Sequence, residues 1–538
     1  MLEGLMMETP LTLTHLFWRM GRYFPGQEVI TKTTVGTHRY TLADHGPRTA
    51  RLASALQRIG VRPGERVATL GWNSYRHFEV YFAAPCMGAV LHTVNFRLHP
   101  EQIVHVMNHA EDAVVFVDAS IYPLLAKIRP ALRTVREIIV MDDLGNWAGQ
   151  DGTLEYEAFL ESGASDFAWP SLPENTAAGL CYTSGTTGNP KACLYSHRSL
   201  VLHGLGVGTS GVILTDRDRV LSIVPMFHVN AWGFPFAVGL TGSELVFPSR
   251  FMQPGELAGL IESEKVTYLA GVPTIMAGIL QAVRAQGNDV SSVRQATVGG
   301  AALSRSLIEG FDQLGIPILQ GWGMTETSPV ASLGLLRAHM EDWTEEEKLT
   351  RRLKQGPALP FVEMRIVDED GRELPWDGKA SGELQVRGPW VIREYYEEPR
   401  NAESFADGWF RTGDVATIDA LGYVQLVDRV KDLVKSGGEW ISSVDLENAI
   451  MGNPKVAEAA VIAASHPKWT ERPLACVVKA DPTLTRDELL DGLRGVVADW
   501  WLPDDVLFLD EIPKTSVGKF DKKVLRARYG DHLITTNS

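Results

Sequence analysis

Up to residue 335, short apolar runs alternate with stretches of helical spacing. An amphipathic stretch at 11–24 comes first. The runs 66–70, 89–94, 113–117 and 137–141 then read as strands, and 48–59, 74–87 and 100–109 as helices. Mostly apolar strands of this length predict a parallel sheet covered on both faces. An apolar run at 177–182 reads as a further strand, with a helix from 197. The rhythm then returns with strands at 219–224, 244–247 and 268–270 and helices at 231–240 and 254–264, and strands at 296–302 and 316–319 follow, with a helix from 304. Two similar halves predict two related α/β layers.

Beyond residue 335 the texture changes. A charged helix at 341–354 precedes short strands with turn signals at 364–367, 382–388, 407–414 and 422–427, the pattern of an antiparallel β subdomain. The charged segment 428–433 reads as a hinge. Behind it, helices at 444–451 and 485–497 and strands at 457–464 and 474–479 outline a compact α+β unit. The expected fold class is α/β: a large N-terminal domain (1–427) of two α/β layers plus the antiparallel subdomain, the hinge (428–433), and a small α+β C-terminal domain (434–538).

A chain of 538 residues exceeds one core, as this division requires. Its net charge of −15 argues against a nucleic-acid partner, which needs a basic surface. Cys86, Cys181, Cys193 and Cys476 show no CxxC spacing, so neither a disulfide framework nor a zinc site is indicated. The N-terminus lacks a signal-peptide pattern and no apolar window is long enough to span a membrane. A cytoplasmic enzyme is expected.

Three stretches carry chemistry. Tyr182-Thr183-Ser184-Gly185-Thr186-Thr187-Gly188-Asn189-Pro190-Lys191 follows an apolar strand and precedes the helix from 197. Glycines free backbone N–H groups, hydroxyls add donors and a lysine adds a point charge, so the loop reads as a phosphate cradle. It is not a Walker A loop: Lys191 is displaced by two positions and Ala192 follows it. Gly299-Gly300-Ala301 and Gln320-Gly321-Trp322-Gly323-Met324-Thr325-Glu326 both fall at strand ends, where open parallel sheets bind ligands. Trp322 suits base stacking and Glu326 suits Mg²⁺ bridging phosphates. Near the C-terminus, Ser516-Val517-Gly518-Lys519 is a loop with a lysine past a glycine.

Together with 423–432, these stretches resemble, in order and spacing, the signatures of the adenylate-forming superfamily, over essentially the whole chain. The runs Pro225-Met226-Phe227-His228-Val229-Asn230-Ala231-Trp232 and 435–447 are most similar to medium- and long-chain fatty-acyl-CoA synthetases. The resemblance implies a two-step ligase using ATP, Mg²⁺ and CoA. A fatty acid and ATP give an acyl adenylate and pyrophosphate, and CoA then displaces AMP.

The resemblance also implies roles. Thr183, Ser184, Gly185, Thr186, Thr187, Gly188 and Lys191 hold the departing phosphates, and Thr183 and Glu326 place Mg²⁺. Trp322 stacks on adenine over Gly300, Ala301, Gln320 and Gly321, and Thr325 reaches the α-phosphate. Asp414 and Arg429 take the ribose. Lys519 contacts the α-phosphate and the attacking carboxylate, then leaves as the mobile C-terminal domain swings about Lys431. The hairpin at 437–440 then enters the CoA channel, with Lys435 and Trp440 touching nucleotide in one state. His228 is a catalytic candidate. His228, Val229, Trp232 and Gly233 border the acyl site, with Trp232 as gate and Gly233 widening the path.

Two departures stand out: Lys191-Ala192-Cys193 replaces the usual Lys-Gly-Val, and Trp322 replaces a tyrosine. Neither removes a group the reaction needs. Rival readings are a short-chain or methylthioalkanoate-CoA ligase, an adenylation enzyme with a non-CoA acceptor, and a non-catalytic nucleotide binder. No fused carrier domain is expected after Lys519. A homodimer is the expected assembly.

Overall fold

The computed structural model describes residues 1–538 except 184–188, 210, 400, 430–431, 437–438, 516–518 and 537–538, and gives only the backbone of 209, 439–440 and 535–536. Among the described residues the strands form four sheets.

The first sheet runs, edge to edge, through Leu154–Glu155, Glu137–Met141, Asp112–Asp118, Arg66–Leu70, Val90–Thr93, Ala177–Tyr182 and Ala192–Ser196. Every pairing is parallel except the last. The second runs through Val330–Leu333, Ile318–Gly323, Gln295–Val298, Tyr268–Gly271, Arg219–Ser222, Glu244–Phe247, Glu28–Thr33 and Gly36–Thr41, with an antiparallel strand at each edge. These are the two α/β layers expected from the rhythm of the sequence.

The helix Tyr75–Cys86 is buried at every position. That burial forces its one carboxylate to find partners. Glu79 accepts from Arg48 Nε at 2.7 Å and from the Tyr156 hydroxyl at 2.6 Å. The same apolar cluster continues into Phe234–Thr241 and the inner face of the second sheet.

The antiparallel sheet expected after residue 335 comprises Glu363–Val367, Ser381–Arg387, Trp409–Ile418, Phe405–Ala406 and Val424–Arg429. The C-terminal α+β unit has Val434–Ser436, Glu439–Ile441, Val456–His466, Thr470–Lys479 and Asp505–Phe508 in its sheet. Its helices include Ser443–Met451 and Arg486–Leu493. Among the described residues, no helix is long and apolar enough to cross a membrane.

Several boundaries differ from the sequence pattern, each for a local reason. The helix expected at 48–59 begins at Leu42, because Thr41 and Asp44 form a capping box that starts it before Pro47. The helix expected at 231–240 begins at Phe234. Residues 229–233 instead form a left-handed turn, with φ of 46°, 54°, 49°, 57° and 81°. Gln320, Gly321 and Trp322 belong to the strand Ile318–Gly323 itself. The helix expected at 485–497 ends at Leu493. Beyond Lys519, Lys522–Tyr529 forms a helix capped by Asp521, which the sequence pattern did not mark.

Candidate active site

The stretch from Tyr182 to Lys191 does not join a strand to a helix. It joins two antiparallel strands, Ala177–Tyr182 and Ala192–Ser196, paired from Ala177↔Ser196 to Tyr182↔Ala192. The pairing closes the neck of the loop. Thr183 N–H donates to the Lys191 carbonyl at 2.8 Å, and Lys191 N–H donates to Thr183 Oγ1 at 3.1 Å. Thr183 and Lys191 are thus fixed side by side. Ser184, Gly185, Thr186, Thr187 and Gly188, named above as phosphate ligands, lie outside the described residues.

Thr183 and Lys191 open onto a cavity at the C-terminal ends of the parallel strands. His228, Val229, Trp232, Gly300, Gly321, Trp322, Thr325, Glu326, Arg429 and Lys519 line the same cavity. Residues from five separated stretches of sequence and from the C-terminal unit therefore meet at one place. Lysine 519 enters from the C-terminal unit and rests on Gly300: a Cβ added to that glycine would stand 3.0 Å from Lys519 Cε. Gly300 has φ +84°, so its lack of a side chain serves both the turn and the lysine.

Asp414 stands behind Trp322. The indole N–H donates to Asp414 Oδ2 at 2.9 Å, and Arg429 Nε lies 3.1 Å from Oδ1. Trp322 is thereby fixed in the wall by its edge. Gln320 is buried in the same strand, and its Oε1 has no hydrogen-bond partner among the described residues. Ala301 follows Gly300 at the cavity rim without lining it. Gly233 also does not line the cavity. Instead of widening the acyl path it makes room for His203, whose Nδ1 would lie 2.7 Å from a Cβ at that position. Lys435 sits on the strand Val434–Ser436, away from the cavity lining. Lys431 and the Trp440 side chain lie outside what is described.

Tyr395 had no signal in the sequence. It comes from the loop after Ser381–Arg387, donates its hydroxyl to Glu326 Oε1 at 2.6 Å, and lies under Lys191 Nζ, 4.6 Å from the ring centre. Of the apolar part of the cavity, Phe234 belongs to the aromatic stretch 228–236 legible in the sequence, whereas Val207, Val212, Val330, Leu333 and Leu359 gather there from three other segments without a signal.

Charge follows from burial. Desolvation raises the Glu326 carboxyl above its usual range, although the Tyr395 hydroxyl and Arg429 pull the other way. Burial, with Lys519 nearby, pushes His228 down to about 3, so its imidazole is neutral at physiological pH. Burial and then Arg429 lower the Lys519 ammonium to about 8, against the pull of Asp414 and Glu326. The charged lysine is therefore present below about pH 8 and is lost as pH rises through that value. The kcat/KM for ATP in adenylation is expected to fall above about pH 8, as free-enzyme pKa values govern that parameter. Bound phosphates favour the ammonium, so the kcat limb moves to higher pH. Lys519→Arg should erase the kcat/KM limb; a limb unchanged in that variant would assign it to another group.

One buried carboxylate beside a hydroxyl suits a cation that takes its other ligands from phosphates and water. Glu326 and Thr183 line the same cavity, and among the described residues no group of three His, Cys, Asp or Glu forms a metal cage of its own. The residues present fit Mg²⁺ on those terms.

The neck of a hairpin loop, a buried carboxylate, an indole and a lysine from the C-terminal unit thus line one cavity with an apolar annex. The model of the family described as AMP-binding enzyme matches residues 17–396, and that of the AMP-binding enzyme C-terminal domain matches 445–519. The chain belongs to the AMP-binding enzyme family. Among relatives of this AMP-binding enzyme is the long-chain-fatty-acid–CoA ligase of Thermus thermophilus, 47% identical, with 98% of this chain and 97% of that protein covered. The 3-methylmercaptopropionyl-CoA ligase of Ruegeria pomeroyi is 44% identical, covering 98% and 99%. Of solved structures, ATP-bound MatB from Rhodopseudomonas palustris aligns with a TM-score of 0.83 at 26% identity, covering 97% of this chain and 100% of that one. The enzyme is an acid–thiol ligase that uses ATP, Mg²⁺ and CoA.

Proposed function

We propose that this ligase activates a fatty acid as its adenylate and passes the acyl group to CoA, releasing AMP and pyrophosphate. The observation that carries the substrate class is the annex formed by Val207, Val212, Phe234, Val330, Leu333 and Leu359. It is apolar, and the cavity's cations Lys191, Arg429 and Lys519 are those assigned below to phosphate, ribose and the reacting carboxylate. A hydrocarbon chain gains on leaving water there, at about 0.8 kcal/mol per buried methylene.

A carboxylate is a poor electrophile, and adenylation turns its oxygen into a leaving group. That step brings anions together, so fixed positive charge is the main demand. Thr183 and Lys191, with the loop between them, take the β- and γ-phosphates. Trp322 stacks on adenine, Gly300, Ala301, Gln320 and Gly321 frame it, and Thr325 faces the α-phosphate. Asp414 and Arg429 receive the ribose. Lys519 bridges the α-phosphate and the incoming carboxylate, while neutral His228 borders the reacting carbon with Val229 and Trp232. Glu326 and Thr183 would hold Mg²⁺, which supplies charge compensation on the phosphates. For the second step the C-terminal unit (434–538) turns about 428–433, withdraws Lys519 and brings Lys435 and Trp440 to the cleft.

The relative from Ruegeria pomeroyi favours a second reading, a short sulfur-containing acid. Pyrophosphate release with ATP, Mg²⁺ and carboxylates of increasing length, with and without CoA, separates the two. A CoA-dependent optimum at medium or long chains is expected. Turnover confined to short or methylthio acids would overturn the chain-length assignment and keep the mechanism; no release with any acid would overturn the ligase. A cytoplasmic homodimer completes the proposal: the free cysteines are all buried thiols, and Met1, Leu2, Leu5, Met6 and Met7 are exposed. Sedimentation at the monomer mass would remove the dimer.

A further inference from the structure

The helix Lys522–Tyr529 begins three residues after Lys519, and its first turn is anchored in a buried polar cluster. Lys522 Nζ donates to Ser443 Oγ at 2.6 Å and lies 2.7 Å from Glu447 Oε1. The same Glu447 oxygen accepts Val461 N–H at 2.7 Å, which ties it to the C-terminal sheet. Ser443 in turn donates its N–H to Asp428 Oδ2 at 2.7 Å and its hydroxyl to the same oxygen. Beside it, the Ser442 hydroxyl donates to the Val427 carbonyl at 2.6 Å. Asp428 and Ser443 are both buried.

Val427 and Asp428 belong to the other body of the molecule. Their strand, Val424–Arg429, is paired with Trp409–Ile418 in the antiparallel sheet. Ser442, Ser443, Glu447 and Lys522 all belong to the C-terminal unit. The same helix grips the far side of the connecting segment as well, through an ion pair between Arg526 and Asp432. Among the described residues, the hydrogen bonds to the Asp428 carboxylate come from the neighbouring Arg429 N–H and from Ser443 across this junction.

We propose that Asp428, Ser443, Lys522 and Glu447 form a latch that positions Lys519 for adenylation and biases the C-terminal unit toward the orientation in which that lysine occupies the cavity. A carboxylate taken out of water depends on the groups that replace its hydration. Turning the C-terminal unit about 428–433 strips Ser443 from Asp428 and draws Lys522, held to Ser443, away with it. The latch is coupled to the chemistry by covalent distance: Lys522 is on the first turn of the helix whose preceding loop carries Lys519. Asp428 and Lys522 are positioning residues, since neither touches the cavity.

The inference rests on the two-step ligase reading, and its test separates the two. Lys522→Met removes the cation and keeps the stem; Asp428→Asn keeps the shape and removes the charge. ATP–pyrophosphate exchange reads adenylation, and thioester formation from a synthetic acyl adenylate and CoA reads the second step. Exchange is expected to fall roughly tenfold in either variant, the size of a coupled contact, while thioester formation holds or rises. Lys522→Arg should restore much of the exchange. Spin labels at Asp370→Cys and Asp510→Cys, both exposed positions, report the distance between the bodies. One dominant distance is expected in the parent chain and a broadened distribution in Lys522→Met. Equal loss in both half-reactions with an unchanged distance distribution would overturn the latch, as would no change in either. If the parent chain performs neither half-reaction, the ligase reading falls and the distance distributions alone decide the latch.

Discussion

Lys519→Ala is expected to abolish adenylation and to leave thioester formation from a synthetic acyl adenylate within a few-fold of the parent enzyme. The lysine sits against Gly300 in the cavity that also holds Thr325 and Glu326. Its ammonium is partly desolvated, which strengthens its attraction for a phosphate and a carboxylate approaching each other. Removing one such preorganised group typically costs about 10²–10³ in rate. The second step makes no such demand. The acyl adenylate already carries its leaving group, and the incoming thiol needs the place the lysine vacates. The variant should also melt close to the parent temperature, because among the described residues the Lys519 ammonium makes no hydrogen bond; its backbone N–H to Thr515 Oγ1 survives the substitution. Equal loss of both half-reactions would remove the assignment of Lys519 to one step and the two-orientation account with it. Comparison with Lys522→Met is informative, since that change displaces the body carrying the lysine while this one deletes only its charge.

Much of this site is written in local sequence. The strands Glu137–Met141 and Glu244–Phe247 and the helix Pro100–His109 have the limits their periodicity predicts, because each is short, apolar on its buried side and bounded by polar residues. The Ser/Thr/Gly run between Thr183 and Lys191 is equally visible as composition. Its setting is not. The strand Ala192–Ser196 exposes Leu194 and buries Cys193 and Tyr195, so its alternation has the apolar leucine on the wrong side and the helix at His197 hides its end. Tyr395 could not be found because a hydrogen bond to a carboxylate 69 residues away has no period. The latch is hidden for the same reason: Asp428, Ser443 and Lys522 are ordinary surface-type residues until the fold buries them together. Chemistry that needs a special loop shows in the sequence, whereas chemistry that needs two distant segments to meet does not.

The left-handed turn at 229–233 shows how far such a hidden feature can matter, and Gly233→Ala is the second large effect expected. Four consecutive non-glycine residues hold positive φ there, a conformation that costs roughly 1–2 kcal/mol per residue and normally appears only singly. The turn is buried throughout, so the surrounding packing must sustain it. What it achieves is the placement of Trp232: a Cβ at Gly299 would stand 3.1 Å from the indole Cη2, so the ring lies against the strand end in the cavity wall. Gly233 closes the turn at φ +81°, and an added Cβ would stand 2.7 Å from His203 Nδ1 and 2.8 Å from Cε1. His203 cannot step aside cheaply, because its Nε2 accepts Val330 N–H at 3.1 Å and its ring packs edge-on against Trp390. Alanine therefore combines a steric clash with backbone strain, a cost of about 2–4 kcal/mol in stability. The damage is directional. His228, Val229, Trp232 and Phe234 all hang on this turn, while Trp322, Asp414 and Arg429 do not. KM for the fatty acid should rise steeply, and ATP affinity, measured by calorimetry without the acid, should stay near the parent value. Thermal denaturation should show the stability loss directly. A Gly233→Ala enzyme that melts normally and retains its KM for the acid would mean that the acyl site does not depend on the turn.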